Sequence, residues 1–202
     1  MSVSRETQDR LTAYHDLLRR WNRTVNLVTP GDLGVFNNRH LADSEQISSL
    51  ANPTANWTDL GSGGGLPGIV VAIHRREGGA LHTLIEADRR KATFLRECAR
   101  QLDLRVRVIA ERIESTEPTG DDVVSARALA PLIRLLPWVA RHLASDGFAL
   151  LPKGVRWQEE VDAALAKYDF RLQTVSSVTR PEAAILRIDR IEERHGSNYQ
   201  RR

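Results

Sequence analysis

The sequence predicts an α/β protein of the Rossmann-like kind: a mostly parallel seven-stranded sheet, an antiparallel C-terminal hairpin and an N-terminal helical extension. Three observations carry this reading. From Trp57 onward, short apolar runs alternate with segments of helical periodicity, the pattern of a parallel sheet with right-handed crossovers. The first run, residues 57–60, feeds directly into Gly61, Ser62, Gly63, Gly64 and Gly65, which is strand, glycine loop, helix. The last two runs, 170–178 and 183–188, are separated only by Thr179, Arg180, Pro181 and Glu182, a spacing that fits a hairpin and is too short for a crossover.

In chain order, residues 4–21 read as an amphipathic helix, with Leu11, Tyr14, Leu17, Leu18 and Trp21 at helical spacing. A looser stretch follows from 22 to 41. Asp43, with Gln46 three residues later, resembles a capping box opening a helix over 47–51, which Asn52 and Pro53 stop. After the glycine loop a helix starts near Pro67, where a missing amide hydrogen costs nothing, and continues its apolar face through 69–73. Strands are expected at 81–86, 105–110, 122–126 and 147–151, and helices at 89–102, 131–143 and 156–168, the last carrying Val161, Leu165 and Tyr168. The chain divides into a helical extension (1–52), the domain that carries the sheet and the glycine loop (53–192) and a basic flexible tail (193–202).

Composition narrows the function classes. The chain has 202 residues, 41% hydrophobic and 27% charged, enough for one substantial core. Its strongest apolar run, 68–73, falls far short of a bilayer span, and its polar N-terminus does not read as a secretory signal. Cys98 is the only cysteine, which excludes an intrachain disulfide and any cysteine-based metal cluster and suits a reducing cytoplasm. The six histidines lack ligand spacing, so no metal is expected. A net charge of +3, with 26 of the 29 basic residues arginine, permits a polyanionic partner without requiring one. A monomer is expected.

Three phosphate or nucleotide patterns compete for residues 61–68. The spacing from Gly63 to Gly68 imitates a P-loop, but Ile69 and Val70 stand where Lys and Ser or Thr would hold phosphate and magnesium. Gly63, Gly65 and Gly68, followed by Glu86 at the end of the next strand, satisfy a dinucleotide fingerprint, so an NAD(P)-binding oxidoreductase is an alternative. The third pattern is an acid ending the first strand and glycines at alternate positions, Asp59, Gly61, Gly63 and Gly65. It resembles motif I of class I S-adenosylmethionine-dependent methyltransferases, in which alternate glycines bring backbone close to the ligand while the acid accepts hydrogen bonds. The terminal hairpin favours this pattern over the dinucleotide one.

Further segments extend the likeness over most of the chain. Trp21 with Asn26 and Leu27, then Arg39, His40, Leu41, Asp43 and Ser44, the run DLGSGGGLPGIVVAI at 59–73, residues 84–95, Ser125 with Arg127 and Ala128, and Lys153 with Gly154 together resemble the RsmG or GidB family of 16S rRNA guanine-N7 methyltransferases. The resemblance implies S-adenosylmethionine as cofactor. It also implies methyl transfer to N7 of a guanine in the 530 loop of 16S rRNA, within the 30S subunit or an assembly intermediate. Gly61, Leu66, Ile113, Glu114 and Arg127 correspond to the family's cofactor contacts, and Glu86 to its ribose carboxylate, where the family more often has Asp. Arg127 is the expected catalytic residue, and Arg39, His40 and Lys153 are candidate RNA contacts. Each has a plainer use as well: Ile113 in packing, Arg39 and His40 in pairing with Asp43, Glu114 and Lys153 as surface charges.

The acceptor chemistry agrees with N7. Guanine N7 has an in-plane lone pair and no proton, so alignment and water exclusion suffice without a general base. Pyrimidine C5 methylation usually needs a cysteine, but Cys98 shares an apolar helix face with Phe94, Leu95 and Leu102. The Asn- or Asp-Pro-Pro-aromatic pattern used on exocyclic amines is replaced by Ser125, Ala126, Arg127 and Ala128. Ribose-hydroxyl methylation, with Lys153 as base, ranks below N7. The four tryptophans read mainly as core. A noncatalytic rRNA-binding protein is the other alternative.

Overall fold

The computed structural model describes residues 4–29 and 40–194. Helix α1 (Arg5–Trp21) is capped by Ser4, whose hydroxyl accepts from Thr7 N. It precedes α2 (Ala42–Ser49), β1 (Trp57–Leu60), α3 (Gly68–His74), β2 (His82–Ile85), α4 (Arg89–Gln101), β3 (Val106–Ile109) and β4 (Asp121–Ala126). Then come α5 (Leu132–His142), β5 (Leu143–Lys153), α6 (Trp157–Leu165), β6 (Tyr168–Ser176) and β7 (Ala184–Glu193). The seven strands form one sheet in the order β3-β2-β1-β4-β5-β7-β6. β1 to β5 are parallel; β7 runs antiparallel between β5 and β6. The strand order reverses between β1 and β4, where a crevice opens beyond the carboxyl ends of the strands.

Helices cover both faces. One face packs α5 and α6, through residues such as Leu136 and Val161, over Leu60, Ile85, Val124 and Leu186. On the other, Tyr14, Leu17 and Leu18 of α1 meet Ile69 of α3 and Phe94 and Leu95 of α4, so the apolar stripe of α1 is buried against the domain that follows it. A third cluster, around Trp57 and Ile47, lies under α2. Cys98 is fully buried, as its helix face predicts, and burial pushes its thiol pKa up. Among the described residues no helix is long and apolar enough to cross a membrane.

Three expectations are corrected. Asp43 and Gln46 form no capping box. α2 begins at Ala42, one residue before Asp43, and both side chains bond the segment after β6 instead. The stripe Val161, Leu165, Tyr168 does not belong to one helix: α6 ends at Leu165, which is exposed, and Tyr168 opens β6 and is buried. β5 is longer than 147–151 because its register slips between the pairs Asp121–Leu143 and Val123–Phe148. A Cβ at Gly147 in this irregular stretch would lie 2.9 Å from Asp122 O.

Arg75, just past α3, ties the extension to the sheet. It is 4% exposed. Its guanidinium donates to the carbonyls of Ser48, Ala51 and Asn52 at the end of α2 and lies 5.2 Å from the centroid of the Trp57 ring. Burial holds its pKa below the usual arginine value. Hydrogen bonds from a charged donor are the strong ones. Arg75→Met is therefore expected to lower stability by about 2–3 kcal/mol in urea unfolding, with the loss accompanied by faster proteolysis around residue 50.

Candidate functional site

The site begins where β1 runs out. Gly61, Gly63 and Gly65 have φ of 64°, 53° and 89°, the left-handed region that side chains disfavour. Their turn is fixed from both sides: Ser62 N donates to Ile85 O at the end of β2, and Gly65 N to Ser62 O. The three positions differ in what surrounds them. A Cβ at Gly65 would lie 2.6 Å from Ile69 Cγ1 and one at Gly61 2.6 Å from Leu129 Cδ1, while one at Gly63 would meet only Gly61 O at 3.8 Å. Gly63 is thus the point at which the loop presents backbone to open space, a cradle that a ligand can fill.

Glu86 crosses to this cradle from the end of β2. Its Oε2 accepts from Gly63 N and its Oε1 from Asp88 N, both at 2.8 Å. The extra methylene relative to Asp lets the carboxylate reach back to the loop, and each oxygen retains a lone-pair direction for a hydroxyl donor.

Asp59 lies beneath the loop, fully buried. Ser125 Oγ donates to its Oδ1 at 2.6 Å and itself accepts from Trp57 Nε1 at 2.8 Å, a chain that links β1 and β4. Oδ2 lies beneath Gly68 and is without a hydrogen-bond partner among the described residues. Burial pushes the Asp59 carboxyl up to about 6, against the Ser125 hydrogen bond, which pulls it down. A folded pKa above the unfolded 3.8 favours the fold most at low pH, and that contribution is lost as the pH rises through about 6. Between pH 4 and 7.5 the wild type is expected to lose on the order of 2 kcal/mol relative to Asp59→Asn, read by urea unfolding of both proteins at each pH.

Tyr14 was named in the sequence only for its place on an apolar helix face, and it does more than pack. Its hydroxyl donates to Gly64 O at 2.5 Å, and burial raises its pKa well above 10, keeping it protonated. The loop is therefore held from above by the N-terminal helix and from below by the Asp59, Ser125 and Trp57 chain. The sequence signal for both was a polar atom on an otherwise core residue, which needs a partner when buried.

At the end of β4 the Arg127 guanidinium donates to His40 Nδ1 at 2.6 Å. Because arginine only donates, that nitrogen of His40 is the unprotonated one. Ala128, the next residue, has φ 52°, a strained conformation for a side-chain-bearing residue beside a site. Arg127 and His40 line a cavity of about 620 Å³ with Asp43, Leu129, Lys153 and Arg180. Lys153 is brought to this cavity with its ammonium engaged, donating to Ala130 O at 2.9 Å and Glu160 Oε2 at 2.8 Å. The same Glu160 oxygen accepts from Leu132 N, so the pair braces the 127–132 segment.

Of the other expected site residues, Leu66 and Ile113 are buried in the two main clusters, and Glu114 is exposed on the turn beyond β3. Arg39 lies outside the described residues. Among the described residues no group of three or more His, Cys, Asp or Glu is arranged to hold a metal ion.

Known proteins resemble this chain in sequence and in fold. The sequence model of the GidB family, described as rRNA small subunit methyltransferase G, matches residues 7–188. The ribosomal RNA small subunit methyltransferase G of Paracoccus denitrificans is 47% identical over 190 residues, covering 93% of this chain and 97% of that protein. The protein of the same name from Gluconobacter oxydans is 46% identical over 187 residues, covering 93% and 95%. Among solved structures, a mutant of MtNAS in complex with S-adenosylmethionine is similar with a TM-score of 0.61 and 15% identity, covering 90% of this chain and 74% of that one. A TehB-like SAM-dependent methyltransferase from Corynebacterium glutamicum has a TM-score of 0.59 and 15% identity, covering 88% and 97%. At such identities these structures speak to the fold alone.

Proposed function

From the premise that this chain belongs to the GidB family of small-subunit rRNA methyltransferases, we propose that it transfers a methyl group from S-adenosylmethionine to N7 of a guanine in the 530 loop of 16S rRNA. The observation that carries the reading is that two sites adjoin: the glycine cradle clamped by Glu86 abuts, through Gly61 against Leu129, the 620 Å³ cavity that Leu129 and Arg127 line. The antiparallel insertion of β7 beside β5 favours this over the dinucleotide alternative, whose sheet continues with parallel crossovers.

The residues present fit the cofactor. Backbone at Gly61, Gly63 and Gly65 lets its methionine end approach, and Glu86 accepts from its ribose hydroxyls. Residues 66, 113 and 114 border the rest of it. Asp59 acts through the loop, as a buried counter-charge. The cofactor brings a sulfonium methyl that is already activated. The protein's work is then to align N7, methyl carbon and sulfur in a line and to keep water out. When bound, S-adenosylmethionine would supply its methyl to the N7 lone pair and leave as the neutral thioether; no proton is released, so no residue here has to act as a base. Arg127, oriented by His40, donates to an anionic group at the junction, the methionine carboxylate or the RNA. Lys153 works as a brace for the Arg127 segment. Extracting the base costs a few kcal/mol, offset by phosphate contacts and stacking. The substrate is rRNA within the small subunit or an assembly intermediate, met by a monomer in the cytoplasm.

The test is transfer of labelled methyl to 30S subunits lacking the modification, followed by chemical cleavage at N7-methylguanine. One new cleavage in the 530 loop is the expected result. Incorporation without N7 cleavage overturns the acceptor; absence of both incorporation and cofactor binding overturns the reading and returns the noncatalytic RNA-binding alternative.

A further inference from the structure

A carboxylate on the wall of a cavity that receives RNA needs a reason, because it repels phosphate. Asp43 is such a group. It lines the cavity one helical turn after His40, which is bonded to Arg127. Its Oδ1 accepts from Ser177 Oγ at 3.0 Å and from Thr179 Oγ1 at 2.7 Å, both on the segment joining β6 and β7. Two hydroxyls on one oxygen fix the orientation of the whole group, and Oδ2 is left without a hydrogen-bond partner among the described residues. A fixed carboxylate with one oxygen committed and one open is an acceptor awaiting a donor. Cationic side chains on the same wall, Arg127 and Arg180, suit anions and base acceptors; Asp43 suits the opposite.

Resting on the methyl-transfer reading above, we infer that Asp43 is a specificity-determining residue that reads the Watson–Crick edge of the target guanine, Oδ2 accepting from N1–H and the N2 amino group. Of the four standard RNA bases only guanine presents two adjacent donors on that edge, and it does so away from N7. A base whose N7 faces the transferring methyl near Arg127 therefore turns these donors toward another part of the wall. Adenine has an acceptor at N1 and is rejected there. The contact also strengthens during the reaction: as N7 takes the methyl, positive charge spreads over the purine and N1–H becomes a better donor. Asp43 thus favours the transition state over the bound substrate.

A purely structural use of Asp43, fastening the segment after β6, is separable from this one. In Asp43→Asn the amide oxygen still accepts both hydroxyls, but a donor replaces the open acceptor. The experiment uses full-length protein and 30S subunits reconstituted with either guanine or inosine, which lacks the N2 amino group, at the nucleotide located by N7 cleavage. Wild type is expected to lose at least about 10-fold in kcat/KM on inosine. Asp43→Asn is expected to lose on the order of 10²-fold on guanine and nothing further on inosine, with unchanged cofactor affinity and melting temperature. Equal wild-type rates on guanine and inosine overturn the inference whether or not the variant folds. So does a variant that keeps the wild-type guanine-to-inosine ratio. A wild-type protein that methylates neither subunit overturns the methyl-transfer reading itself, a distinct outcome.

Discussion

Arg127→Ala is expected to lower methyl transfer by on the order of 10²- to 10³-fold while leaving the melting temperature within about 2 °C of wild type. The large effect follows from position. Arg127 stands where the strand order reverses, its guanidinium aimed by His40 Nδ1 and its backbone leading into the left-handed Ala128. Removal deletes a preorganised positive charge on the wall of the cavity. The small stability effect follows because Arg127 is partly exposed and its segment is held independently by Lys153 and Glu160. Steady-state kinetics separate its two possible anionic partners. A rise in KM for S-adenosylmethionine assigns it to the methionine carboxylate, and a rise in KM for the 30S substrate assigns it to RNA. Unchanged turnover discards the role.

The second large effect is a contrast within the glycine loop. Gly65→Ala puts a Cβ 2.6 Å from Ile69 Cγ1 and 3.1 Å from Tyr14 Oη at φ 89°. Both strain and overlap oppose it, and the expected loss is about 2–3 kcal/mol of stability along with cofactor binding. Gly63→Ala meets no protein atom closer than 3.8 Å, so its folding cost is the left-handed penalty of about 1 kcal/mol. Its new methyl stands instead in the open cradle, and cofactor affinity is expected to fall at least about 10-fold. Calorimetric titration with S-adenosylmethionine, beside thermal melts of both variants, reads the contrast. A Gly63→Ala protein that binds as tightly as wild type would show that the cradle lies elsewhere.

The parts of the fold legible in the sequence are those set by local rules. Periodicity located α1 and α4, alternation and glycine located β1 and its loop, and the short spacing after residue 178 located the hairpin. What stayed hidden depends on distant partners. Asp43 and Gln46 have the spacing of a capping box, but long-range bonds to residues 176–179 use them instead. Tyr168 continues a helical stripe on paper, yet the chain needs it to start β6, where it is buried. Lys153 reads as a free cation because its partner Glu160 lies on α6, which packs against the start of α5 only in the folded chain. For the candidate site, Asp59, the alternate glycines and Glu86 announced themselves by type and spacing. The roles of Tyr14, Trp57 and Ser125 did not, since a polar atom on a residue read as core says that a partner is needed but not which one.

The hydrogen bond from Tyr14 to Gly64 spans 50 residues of sequence, and that separation sets an order of events during synthesis. The helix carrying Tyr14 leaves the ribosome well before the loop it will clamp, and at 17 residues it is marginal on its own. It must wait, with its apolar stripe uncovered, until β1, the loop and α3 have emerged. The nascent chain thus passes through a window in which its first helix has an uncovered apolar stripe and the loop it will clamp is unfinished. That window closes only when Gly64 reaches the Tyr14 hydroxyl.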